Sequence, residues 1–242
     1  FQLTTEELEQ VLRPLAETGQ EATGSMGDDT PIAVLSRNTR PLYDYFRQAF
    51  AQVTNPPIDP LREDCAMSLS TQLGKETNIF HAGPETVNHV ILNSPVLSQR
   101  KLRQLLKMPQ YVEKNRLIDL SYAPEEGLKA GLERICREAE RAARDGDVML
   151  LLSDRYPQPG RPMAHALLAT GAVHHHLCRA GLRCDANLIV ETGTARDPHH
   201  MACLIGVGAT AVYPYLAYQT LFDLGRRGIL QIKKGGEQAQ IG

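Results

Sequence analysis

Histidine is the side chain most able to move a proton or hold a metal near neutral pH, and this sequence gathers it in two runs. His174-His175-His176 is one and His199-His200 the other, with His165 and Glu191 nearby in sequence. Glu191 and His199 read as lying on loops after strands, the side on which a β/α barrel keeps its chemistry. Three consecutive histidines on a helix point about 100° apart, so they cannot share one ion. No ligand spacing matches a known zinc pattern, and no metal is expected.

Phosphate chemistry has one candidate, Gly206-Val207-Gly208-Ala209-Thr210. It lies where a helix ends and a strand begins, whereas a dinucleotide fingerprint needs strand, glycines and helix in that order. Packing glycines are the expectation. Nucleophilic chemistry has no G-x-S-x-G elbow, and Cys65, Cys136 and Cys178 fall on or near apolar helix faces, where thiols are usually inert. Asp28-Asp29 and Glu125-Glu126 are acid pairs, the second explained by a helix start. Arg100, Lys101, Arg103 and Lys107 form the solvated side of one helix. No catalytic or cofactor-binding residue stands out.

These residues need elements to place them. Thr4-Thr5-Glu6-Glu7 opens a helix, with a hydroxyl cap and early acids, that carries Leu8, Val11, Leu12 and Leu15 and stops at Gly19. Ile32 to Leu35 reads as a short strand and Pro41 to Phe50 as a helix with Tyr43, Phe46 and Phe50 inward. Beyond residue 85 strands and helices alternate. Strands are expected at 87–92, 117–120, 148–152, 188–190 and 211–213. Helices are expected at 94–108, 124–146, 163–180, 199–207 and 215–227. Strands that alternate with helical crossovers are parallel. The fold class is α/β with parallel β/α architecture: an open doubly wound sheet or an incomplete TIM barrel, since six or seven strands are fewer than eight.

The chain has 242 residues, 42% of them hydrophobic, and a formal net charge of -2. A near-neutral balance argues against a nucleic-acid partner. The longest aliphatic run, Val148 to Leu152, is far shorter than the ~20 residues of a membrane span. Five cysteines with no C-x2-C pair suggest free thiols and a reducing compartment. With no basic or apolar leader, a cytoplasmic location is expected. The start at Phe1 and the polar tail at 231–242 suggest one domain cut from a longer chain. Its parts are 1–63 (helix and loops), 64–230 (β/α repeats) and the tail.

Residues 54–63 include Asn55-Pro56-Pro57-Ile58-Asp59-Pro60 and are expected to be irregular. Pro56, Pro57 and Pro60 fix their own φ and bias the preceding residues toward extended backbone. The expectation is a stiff, positioned loop.

Two stretches are more specific than any of these. Gly24-Ser25-Met26-Gly27-Asp28-Asp29-Thr30-Pro31 is one, and the run from Leu42-Tyr43-Asp44-Tyr45-Phe46 to Pro60-Leu61-Arg62-Glu63 is the other. Both resemble the central domain of the glutamate synthase large chain, as do Ala186 to Gly193, His199-His200 and Tyr213-Pro214-Tyr215. The resemblance implies a reduced relative of an FMN-binding barrel, without a reaction of its own. It implies a position between a glutamine amidotransferase and an FMN-binding domain that also holds an iron–sulfur cluster. There, glutamine, 2-oxoglutarate and a reductant become two glutamates, the electrons coming from a donor subunit or ferredoxin. It also implies that the backbone of Thr54 and Asn55 lines an ammonia tunnel. The parent would be cytoplasmic, or plastidic if plant or algal. Ala22 stands where the family often has proline. The rival expectation is an independent barrel enzyme with a phosphate-bearing ligand or metal at Glu191 and His199. An assembly module marked by an exposed apolar patch is a third.

Overall fold

The computed structural model describes residues 3–20, 34–37, 39–46, 57–78, 80–81, 83 and 87–230. Its first helix, α1, runs through three consecutive pieces: Thr5–Glu7, a π-type turn Leu8–Leu12, and Arg13–Thr18. The expected start is there as a full capping box. Thr4 Oγ1 accepts the Glu7 N–H at 3.1 Å, and Glu7 Oε2 accepts the Thr4 N–H at 3.0 Å. Gly19 closes the helix at φ 67°.

The core is a four-stranded parallel sheet in the order β3 (Asn115–Asp119), β4 (Met149–Ser153), β5 (Asn187–Glu191), β6 (Ala211–Tyr213). Its crossovers are α4 (Gly127–Asp145), α5 (Ala166–Arg179) and α6 (Pro198–Gly206), and α7 (Tyr215–Arg226) follows β6. Strand side chains alternate between faces. Ile118, Leu152, Val190 and Val212, in register across the sheet, pack with Ile135, Ala139, Val173 and Leu204 of the three crossover helices. All three crossovers therefore cover one face, and the strand order follows the sequence without reversal. A doubly wound sheet would reverse its order and split its helices between faces. Single winding is the barrel pattern.

The other face, which a barrel would turn inward, carries Met149, Leu151, Ile189, Ala211 and Tyr213. Here the remaining strands are replaced. Helix α3 (Gln99–Leu106) lays Leu102 and Leu105 against it, and an antiparallel pair, β1 (Thr71–Leu73) with β2 (Val90–Leu92), adds Leu73. This pair sits at the N-terminal ends of the parallel strands. Asn187 Nδ2, at the start of β5, donates to the Gly74 carbonyl at 2.8 Å, and the Tyr111 hydroxyl donates to those of Leu73 and Asn88 at 3.2 and 2.9 Å. The fold is α/β and barrel-like but incomplete.

Several expectations are corrected. Val34 and Leu35 form an exposed turn, not a strand, while Ile32 and Ala33 lie outside the described residues. The helix expected from Pro41 is a single 3-10 turn, Leu42–Tyr45, since Phe46 is already extended; 47–50 lie outside the described residues. The helix expected from Ser94 starts only at Gln99, capped by Ser98. The reason is that Pro95 and Leu97 bond Val212 on both its polar groups at 2.8 Å, which draws 94–97 into the sheet beside β6. Pro60 does not stiffen a loop. It is the first residue of helix α2 (Pro60–Ala66), with the Asp59 carboxylate accepting the Leu61 N–H at 2.9 Å. That is the position where a missing N–H costs nothing. Pro57 lies in irregular backbone; Thr54, Asn55 and Pro56 lie outside the described residues.

Candidate functional site

In a barrel the C-terminal ends of the strands carry the chemistry. Here they bring Asp119, Ser153, Glu191 and Tyr213 into one row across the sheet. Burial of β4 and β5 on both faces leaves their apolar runs no choice but to end in polar residues where the sheet stops: Ser153-Asp154-Arg155 and Glu191-Thr192-Gly193-Thr194.

Each charge in this layer already has partners. Ser153 Oγ donates to Glu191 Oε2 at 2.6 Å, and the Arg155 guanidinium donates to Glu191 Oε1 at 2.8 Å. Arg155 also lies over the rings of Tyr213 and Tyr215, 5.9 and 5.4 Å from their centroids. Burial raises the Asp154 carboxyl above the ordinary carboxylate range, although the Thr192 hydroxyl and the Gly193 N–H, at 2.5 and 2.9 Å, both donate to it. Burial likewise pushes the Tyr215 hydroxyl up, and that hydroxyl donates to the Asp154 carbonyl at 3.3 Å.

The N-terminal region closes the layer from above. Tyr43 is fully buried over the strand ends. Its hydroxyl shares a hydrogen bond with Thr194 Oγ1 at 3.0 Å, and its ring stacks on His200 at 4.2 Å and meets His165 edge-on at 5.0 Å. Its carbonyl lies 3.2 Å from His199 Nε2. Glu7 of α1 reaches the buried Arg196 guanidinium at 2.9 Å while still closing its capping box. Burial, reinforced by the Arg196 charge, pushes His165 down to about 4, so it stays neutral. Burial also lowers His200. Among the described residues, no buried side-chain nitrogen or oxygen lacks a hydrogen-bond partner. Through the Tyr43–Thr194 hydrogen bond and the Glu7–Arg196 pair, the N-terminal segment is tied to the residues that follow β5.

The residues singled out in the sequence are scattered. Glu191 ends β5 and His199 lies inside α6, neither on a loop, and they engage different partners. Among the described residues no three His, Cys, Asp or Glu side chains gather as a metal site. His174 accepts from Arg183 at 3.0 Å, His175 is exposed, and His176 pairs with Glu140 at 2.6 Å. Gly208 is a packing glycine: its φ is +114°, and a Cβ there would meet His174 Nδ1 at 2.3 Å. Cys136 is buried, and its thiol is pushed up by burial, but Cys65 and Cys178 are exposed rather than on apolar faces. The sequence reading missed Tyr43, Asp154, Thr192, Thr194, Arg196 and the second role of Glu7. The polar runs Ser153-Asp154-Arg155 and Glu191-Thr192-Gly193-Thr194, which follow the apolar stretches of β4 and β5, were the available signal. Two surface hollows, about 280 Å³ along α4 and about 520 Å³ along α3, lie on helix surfaces and include none of these residues.

Comparison with known proteins adds the following. The family model described as glutamate synthase central domain matches residues 1–241. The chain is 47% identical over 226 residues to ferredoxin-dependent glutamate synthase 2, chloroplastic, of Arabidopsis thaliana, covering 91% of this chain and 14% of that protein. It is 44% identical over 242 residues to the NADPH glutamate synthase large chain of Azospirillum brasilense, covering 97% and 16%. The chain thus spans about one seventh of such relatives. A solved flavocytochrome b2 variant with sulfite bound overlays at a TM-score of 0.33 and 16% identity, over 56% of this chain and 31% of that one. A likeness that slight carries no argument about this chain.

Proposed function

The chain belongs to the glutamate synthase central-domain family, and on that premise we propose that it is a non-catalytic connector within a longer synthase. It joins a glutamine amidotransferase domain to an FMN-binding domain that also carries an iron–sulfur cluster, and it forms part of the ammonia tunnel wall between them. The parent enzyme would convert glutamine and 2-oxoglutarate to two glutamates. Its electrons would come from a donor subunit or from ferredoxin, as relatives of both names match this chain. Among the described residues no helix is long and apolar enough to cross a membrane. A plastid setting accords with the chloroplastic names of plant relatives, and a cytoplasmic one is the alternative for a parent of other origin.

The observation that carries this reading is the closed strand end. A barrel enzyme takes its ligand there, and here Glu191 is held by Ser153 and Arg155, Asp154 by Thr192 and Gly193, and Arg196 by Glu7. The residues present do not fit a flavin, so no step of the reaction is assigned to this chain. Its contribution is position. Thr54 and Asn55, followed by Pro56 and Pro57, would hold a constriction a few ångströms wide through main-chain atoms, which a flexible loop could not do. Replacing Pro56 and Pro57 with Gly in the full-length enzyme should uncouple glutamine hydrolysis from glutamate formation. Unchanged stoichiometry in a coupled assay would refute the tunnel role.

A further inference from the structure

Among the described residues, helix α2 buries no side chain against its own chain. All seven residues, Pro60 to Ala66, are exposed, and none is buried. Its local support is the Asp59 cap and a 3.7 Å pair between exposed Arg62 and Asp59, and an exposed pair stabilises little. Isolated helices shorter than about 12–15 residues are marginal in water, and protein helices owe most of their stability to a packed face. A seven-residue helix therefore needs a surface to lie on.

The side chains say what kind of surface. Leu61 is 93% exposed, and Met67 and Leu69 just beyond the helix are 64% and 65% exposed. Leu61 and Cys65, four apart, share one side, while Arg62 and Glu63 turn away. Further along the same arm, Ile91 is 69% exposed opposite Gln72, on the outer side of the β1–β2 pair. The inner side is anchored through buried Leu73. The arm is thus fixed to the sheet at one end and presents apolar side chains outward at the other. Several large apolar side chains exposed along one short arm point to an interaction surface.

We propose that α2, through Leu61, Cys65, Met67 and Leu69, docks in an apolar groove on another domain of the same polypeptide. This rests on the reading of the chain as one part of a longer synthase, of which it spans 14–16% of the relatives' length. Most of the parent polypeptide lies outside this chain and is tethered to it, so the groove is present at high effective concentration. Docking a helix by apolar side chains on one face is a recurrent mode of recognition. Because only Ile58 separates Pro57 from the Asp59 cap, seating α2 also fixes the downstream end of the proline segment.

The test is the reactivity of the Cys65 thiol toward N-ethylmaleimide in the native full-length enzyme, read by peptide mass spectrometry. A docked helix should slow modification about tenfold or more relative to the same peptide in isolation, at every protein concentration. The double variant Leu61→Asp/Met67→Asp should restore the fast rate. A wild-type Cys65 that reacts at the free-peptide rate overturns the proposal. Protection that disappears on dilution also overturns it, by assigning the face to a second copy of the chain. Failure of the tunnel reading is distinguishable: coupling would stay intact in the Pro56→Gly/Pro57→Gly enzyme while Cys65 remained protected.

Discussion

The C-terminal ends of the parallel strands and the arm at residues 57–92 treat their surfaces in opposite ways. At the strand ends three carboxylates and two guanidinium groups are paired within the chain, and Tyr43, which has no exposed surface, packs against three histidines beside them. On the arm, Leu61, Met67, Leu69 and Ile91 are each more than 60% exposed, and α2 has no buried residue. The end of the sheet where a barrel enzyme would take a ligand is closed from within, and the part that is open is apolar. The two regions thus differ in kind: polar groups paired within the chain at one, apolar groups left exposed at the other.

That contrast can be broken most easily at Tyr43. Truncation by Tyr43→Ala removes a fully buried ring and the hydroxyl bonded to Thr194. It should destabilise the fold by about 3–5 kcal/mol, which is roughly 10 °C in Tm for a domain of this size. A change below about 2 °C by calorimetry, roughly one fifth of that effect, would show that the strand ends are not locked by this residue.

A smaller effect is expected from pH. His165 is pushed down to about 4 and His200 is also lowered, both chiefly by burial, whereas an unfolded histidine titrates near 6.5. Between those values the unfolded chain binds more protons than the folded one. Stability is then fully present above about pH 6.5 and is lost as pH falls toward about 4. Asp154, raised by burial, works in the opposite sense, its contribution being lost as pH rises, so the histidine part is isolated by comparing variants. His165→Asn keeps a side-chain acceptor at the helix cap and should flatten the fall of Tm with acid in that window. An unchanged slope would show that His165 does not titrate on unfolding.

The smallest effect belongs to the arm. Leu61→Ser in this chain should change stability by no more than about 0.5 kcal/mol, as for surface sites away from special features. A loss of 2 kcal/mol or more, near the ~2–5 kcal/mol range of core leucine truncations, would mean that α2 packs within its own chain.

What the sequence disclosed follows the range of its interactions. The capping box at Thr4 and Glu7, the closing Gly19, and the uniformly apolar β4 depend on neighbours in sequence, and each forms as its residues suggest. Parallel pairing followed from strand–helix alternation, but the choice of barrel over doubly wound order did not. That choice needs the faces on which α4, α5 and α6 land. The residues at 94–97 read as helical because their partner, Val212, is more than a hundred positions away. Pro60 read as part of a rigid loop because proline at a helix's first position and proline in a loop look alike until the next turn is seen. The strand-end layer was hidden for the same reason. Glu7, Tyr43, Asp154, Thr194 and Arg196 are spread over nearly 190 residues, and only folding brings them together.

The central claim is that the strand ends form a closed structural layer and not a ligand site. Titration of this chain with FMN, followed by flavin fluorescence and by Tm, tests it most directly. The account predicts no saturable fluorescence change and no rise in Tm with ligand. Saturable binding accompanied by a Tm that climbs as FMN exceeds its Kd would contradict it, since a working flavin site would then survive beneath Tyr43.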